Sequence, residues 1–123
     1  MPTLKELNDS FSLGQQLQTN EDGTVVLINV FTIDAEDEEA LIAAWAHDAQ
    51  FMKEQPGYIS TQMHKGIGGS TTFLNYAVWE SVDSFKKAFT NPEFQRRIGR
   101  YPDSATVSPH LFKTLAVQGH CVA

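Results

Sequence analysis

A chain of 123 residues with 41% apolar and 11% aromatic content is sized for one domain with a real core and has no room for a second. Its formal charge of −6 and isoelectric point near 5.0 disfavour a nucleic-acid partner, the one basic cluster being Arg96, Arg97 and Arg100. No apolar run approaches the roughly 18 residues of a membrane span, no signal-peptide core is visible, and Cys121 has no partner for an internal disulfide; a cytoplasmic protein with no membrane partner is expected.

Residues 1–22 are polar and rich in Gln, Asn and Asp, so they read as a partly flexible N-terminal arm whose Leu4, Leu7 and Phe11 could dock a short helix. The folded domain is expected over 23–118, with 119–123 as a tail. "TVVLINVFTI" (24–33) is β-branched and too short for a helix, which predicts a strand with apolar residues on both faces. "DEEALIAAWAHDAQFMKEQ" (37–55) places Leu41, Trp45, Ala49 and Met52 on one stripe, with acids in the first turn and Pro56-Gly57 beyond the end, which predicts an amphipathic helix. "YISTQMHKGI" (58–67) and "TTFLNYAVWE" (71–80) predict an antiparallel hairpin turning at Gly68-Gly69-Ser70. Val82, Phe85, Ala88 and Phe89 form a second helical stripe, Asn91-Pro92 breaks it and starts a short helix with Phe94 and Ile98, and "HLFKTLAV" (110–117) predicts the last strand. The order β-α-β-β-α-β is the split βαβ arrangement of an α+β, ferredoxin-like fold with an antiparallel sheet.

Such a sheet carries helices on one face only. Val26, Ile28 and Val30 alternate with Val25, Leu27 and Phe31, and Leu74, Tyr76 and Val78 alternate with Phe73, Ala77 and Trp79, so an apolar face is left over. A homodimer packed sheet on sheet is the simplest way to cover it.

Within the hairpin, Asn75 and Trp79 lie four residues apart on one strand. They project from one face about 13 Å apart, far enough to bracket a planar polycycle. "FLNYAVWES" followed by "SFKKAF", with "PGYISTQMH" upstream, resembles the antibiotic biosynthesis monooxygenase family of dimeric α/β barrel proteins over roughly residues 24–117. Within it, the chain is most similar to the small cofactor-free anthrone and quinol monooxygenases of aromatic polyketide tailoring, on Asn75, Tyr76, Trp79, Glu80 and Ser81. The resemblance implies that Asn75 and Trp79 act on the oxygenated ring of a small aromatic substrate, with O2 as co-substrate and no cofactor. It implies that His64 is a pocket histidine, that Phe85 stands where the family has a helical tyrosine, and that the family's arginine falls at Arg96 or Arg97. Asn29, Trp45, Phe73, Phe85 and Arg97 complete the expected substrate-binding set.

The chemistry has its own logic. Triplet dioxygen reacts with organic molecules by a spin-forbidden path and usually needs a metal or flavin. Here there is no GxGxxG, "GIGGS" at 66–70 does not lead into a helix, and His47, His64, His110 and His120 lack a metal-ligand spacing, so no cofactor or metal is expected. A deprotonated anthrone or quinol can supply its own electrons, provided the protein stabilises the oxyanion and excludes water.

Plainer readings stand beside these. Asn75 could be a satisfied core amide, Trp79 and Trp45 core, and His64 an exposed strand end; Met52 could be core or the pocket mouth. Asn29 could be a second pocket amide or a structural hydrogen bond, and the arginines a solvated helix face. The alternative function is a non-catalytic dimer that binds a small aromatic or regulates a partner. Haem degradation is disfavoured because "SFKKAFTNPEFQRRIGR" lacks an axial histidine.

Overall fold

The β-branched run Val25–Thr32 forms β2, a central strand of a five-stranded sheet in the computed structural model, which describes residues 1–123. A single 3-10 turn, Ala35–Asp37, leads into α2 (Glu38–Met52), whose acidic first turn suits the positive end of the helix dipole. The hairpin follows as β3 (Tyr58–Lys65) and β4 (Thr72–Trp79). Only Gly68 at its turn has positive φ, at 66°, so one left-handed residue suffices where the glycine pair suggested two. Ser81 caps α3 (Val82–Phe89), Asn91 caps α4 (Pro92–Arg97), and β5 (Thr106–Phe112) closes the sheet. With the short β1 (Thr3–Leu4) and α1 (Leu13–Gln16) of the arm, the sheet order is β1-β5-β2-β4-β3. All neighbours are antiparallel except β1 and β5, and the four longer strands with their helices keep the α+β, ferredoxin-like order. No helix is long and apolar enough to cross a membrane.

Two expectations need correction. The last strand lies at 106–112 and not at 110–117. Pro109 sits inside it, because Val107 and Leu111 turn their backbone groups to the outer edge, toward Lys5 and Gln16, and Pro109 shares their orientation, so its missing N–H takes nothing from the pairing with β2. The arm does dock a short helix, but through Leu13 and Leu17 and not through Leu4, Leu7 and Phe11, which are exposed. Thr3 and Lys5 donate backbone hydrogen bonds to Ala105 and Val107 at 2.8 and 2.9 Å, while Leu13 and Leu17 are buried in the main core. The hydrophobic domain therefore begins ahead of Gly23.

The helix-facing side of the sheet carries two apolar clusters. One joins Val25, Leu27, Ala77 and Trp79 to α3 through Val82, Phe85 and Ala88; the other joins Phe31 and Phe73 to α2 through Leu41 and Ala44. Phe94 of α4 bridges the helices, its ring 6.1 Å from Phe51 and 5.6 Å from Phe89. Between the clusters the polar pair Asn29 and Asn75, directly opposed across β2 and β4, interrupts the apolar surface. The cavity opens beside it.

Candidate active site

A cavity of about 60 Å³ lies between the sheet and helices α2 and α4, with Leu27, Ala77, Trp79, Phe94 and Met52 among its apolar walls. Asn75 enters it from β4 and is 8% exposed. The Thr61 hydroxyl donates to Asn75 Oδ1 at 2.6 Å, which fixes the amide plane and leaves Nδ2 as a donor with no protein acceptor. Thr61 owes this place to a bulge. Tyr58 pairs with Trp79 and Ser60 with Val78, so the extra residue Ile59 brings Tyr58 and Thr61, three apart, onto the same face.

Trp79 is the largest fully buried side chain, held edge-on by Tyr58 at 5.6 Å and by Phe85 at 5.7 Å between ring centroids. From the helical side Asp48 faces the cavity, 5% exposed, and its Oδ1 has no hydrogen-bond partner. Burial raises its pKa from the ordinary 3.8 to about 6; the Tyr101 hydroxyl and the charges of Arg97 and Arg100 pull the other way without cancelling it. Tyr101, also on the cavity wall, is pushed up by burial and by the negative charge of Asp48, so its hydroxyl remains protonated.

Of the residues expected from sequence, the structure brings Asn75, Trp79 and Trp45 to the cavity, together with Met52. His64 is not there. It pairs with Leu74, whose side of β4 is opposite to that of Asn75, and is exposed with Nδ1 3.3 Å from the Leu74 carbonyl; Met63 takes the position opposite Asn75. Arg97 lies between α4 and α2. It donates to His47 Nδ1 and His47 O at 2.7 and 2.8 Å, pairs with Glu93 and stacks over Phe51 at 5.2 Å. His47 in turn is held below its ordinary pKa by burial and by the charges of Arg100 and Arg97. Phe73 belongs to the cluster with Phe31, and Phe85 backs Trp79 without reaching the cavity. Asn29 uses its Oδ1 to accept from the Ser108 N–H at 3.1 Å, the structural hydrogen bond of its two readings.

Sequence alone does not single out Thr61, Tyr58, Asp48 or Tyr101. A signal existed for Asp48: it lies seven residues after Leu41 and four before Met52, an acid on the stripe that should be apolar.

The model of the antibiotic biosynthesis monooxygenase family matches residues 24–99. The chain belongs to this family. The matched stretch holds every cavity residue except Tyr101, and leaves the docked arm and β5 outside it. Deoxynogalonate monooxygenase of Streptomyces nogalater is 29% identical over 70 residues, a stretch that covers 57% of this chain and 58% of that protein. Among solved structures, SnoaB, a cofactor-independent oxygenase from Streptomyces nogalater, superposes with a TM-score of 0.71 at 22% identity, covering 80% of this chain and 99% of that one. A monooxygenase candidate from Shewanella loihica PV-4 gives 0.69 at 30% identity, covering 80% and 100%.

Proposed function

We propose that this family member is a cofactor-independent monooxygenase, converting an electron-rich hydroxylated aromatic such as an anthrone or quinol to a quinone with O2, and that it works as a homodimer. The observation that carries the reading is the Asn75 amide. Its oxygen is committed to Thr61, its N–H groups are free, and it stands in a cavity walled by Trp79 and Tyr58. A fixed donor in a site from which a bound ring displaces water stabilises the oxygen on which charge develops when the ring is deprotonated, and the resulting anion is reducing enough to react with O2. The likeness to a deoxynogalonate monooxygenase supports the monooxygenase chemistry, and the fold shared with a cofactor-independent oxygenase is compatible with it.

The cavity has room for about two to four water molecules. A three-ring substrate therefore seats its reacting end at Asn75 while Trp45 and Met52, half-buried on α2, swing aside to admit the rest.

The test is oxygen uptake with 1,8-dihydroxyanthrone, in chelator and without added flavin. The wild type should consume O2 well above the rate of autoxidation and yield the quinone. Asn75→Ala should lose roughly 10²-fold, the usual effect of removing one oxyanion donor. Thr61→Val should lose less, because the donor survives while its orientation does not. Ligand binding with no oxygen uptake would make the chain a binding protein instead.

A further inference from the structure

Asn75 shares its cavity with one carboxylate. Asp48 stands on α2 among the buried residues Leu41, Ala44 and Phe51, and neither arginine nearby forms an ion pair with it. A buried charge without an ion-pair partner is costly, and Ala or Leu would serve a helix better at such a position. The charged and titratable groups around it are His47 on its own helix, Arg97 on α4, Arg100 and Tyr101 after it, and Tyr58 across the cavity on β3. The arginine charges lie on the helix side and the amide donor on the sheet side, so the free Oδ1 is the one strong acceptor available to a ligand between them.

We infer that Asp48 is the base of the reaction, taking the substrate's proton while Asn75 donates to the oxygen that becomes negative. This rests on the monooxygenase reading for its chemistry. For an anthrone, the carboxylate removes one methylene proton and the electron pair of that C–H bond moves into the ring to give the enolate. The enolate passes one electron to O2, and the radical and superoxide so formed join at the methylene carbon as a peroxide. Protonated Asp48 returns its proton to the outer oxygen, then takes the second methylene proton. The electrons of that C–H bond form the new C=O, the O–O bond breaks, and the leaving hydroxide receives the proton as water. The substrate loses four electrons, O2 gains four, and Asp48 ends as it began. A carboxyl raised by its burial is a better base than an exposed one and is still ionised at neutral pH.

Proton transfer can be read without turnover, by following deuterium entry at the methylene carbon of 1,8-dihydroxyanthrone in anaerobic D2O from about pH 5 to about pH 9, beside oxygen uptake in air. The wild type should accelerate exchange with a limb near pH 6. Asp48→Asn should lose the limb and about 10²-fold or more of both rates. Asp48→Glu, which keeps a base on a longer stem and covers the case of a poorly folded amide variant, should keep a limb at a shifted midpoint. Exchange by the wild type that Asp48→Asn lacks, with no oxygen uptake by either, sustains Asp48 as the base and defeats the monooxygenase reading. Wild-type exchange and pH profile in both variants overturn the inference and leave that reading standing. A wild type that accelerates neither exchange nor uptake overturns both.

Discussion

Asp48 holds its proton differently in the folded and unfolded chain, and that difference is measurable as stability. The folded carboxyl keeps its proton up to about pH 6, whereas the unfolded one releases it near 3.8. Between these values the native state binds more protons, so stability falls as pH rises through the window and the penalty is complete above it. The difference corresponds to at most about 3 kcal/mol, and contact with solvent through the cavity mouth brings it nearer 1–2 kcal/mol. Asp48→Asn should therefore be more stable than the wild type at pH 7 by about that amount, with the gap closing toward pH 4, as read by urea unfolding. A less stable amide variant at pH 7 would mean that the carboxylate makes a stabilising contact and is not free for catalysis. The loss of stability is what a site residue retained for chemistry should show. Sequence makes Asn75 and Trp79 legible because a strand's period of two places them on one face without further information. It hides Thr61 because a one-residue bulge at Ile59 changes the parity of β3 between Tyr58 and Thr61, and nothing in "YISTQMHK" announces it; His64, taken from the resemblance alone, is turned off the site by the hairpin register that sets it opposite Leu74.

The edge of β5 is where element-level expectation fails most. Gln16 at the end of α1 donates from Nε2 to the Leu111 carbonyl and accepts the Leu111 N–H on Oε1, both at 2.9 Å. Its side-chain amide thus takes the place of a neighbouring strand's peptide, where β1 pairs only as far as Val107. Ser12 supplies the capping box that holds this one-turn helix, and Leu13 carries it into the core. The arm's apolar residues suggest a docked short helix but give no local sign of this contact, since α1 is four residues long and its partner is 95 positions away. Pro109 misleads for a related reason: proline breaks a central ladder, but whether its nitrogen points at a ladder is a tertiary fact. By contrast β2, α2, the hairpin and α3 are all legible, each having a period or a turn signal of its own. Gln16→Ala should cost about 1–3 kcal/mol, the effect of leaving both Leu111 groups without their partner, measured as a lower urea midpoint at unchanged slope. An unchanged midpoint would show that water replaces the amide and that the arm is held by Leu13 and Leu17 alone.

On the whole molecule, one sheet face is covered by α2 and α3 and the other presents Val26, Ile28, Val30, Leu74 and Val78, with Tyr76 42% and Phe112 41% exposed. A monomer leaves this surface to water at a cost that grows with its area. Face-to-face packing about a two-fold axis covers it with an identical surface, and a stable pair should bury at least about 1,200 Å² in total. Such a dimer would bear on catalysis, because β4 carries Asn75 inward and its neighbour Tyr76 outward, so packing over Tyr76 would stiffen the strand that aims the donor. Tyr76→Lys is the informative variant. Its side chain is already exposed in the single subunit, so a charge there leaves the internal core intact while opposing association. The wild type should sediment at twice 13.7 kDa at micromolar concentration, and Tyr76→Lys should sediment at once that mass with an unchanged far-ultraviolet spectrum. Oxygen uptake should fall with the loss of the dimer even though no cavity residue has changed. A wild type that sediments as a monomer would overturn the assembly, and a monomeric Tyr76→Lys with full activity would show that each subunit aims Asn75 by itself.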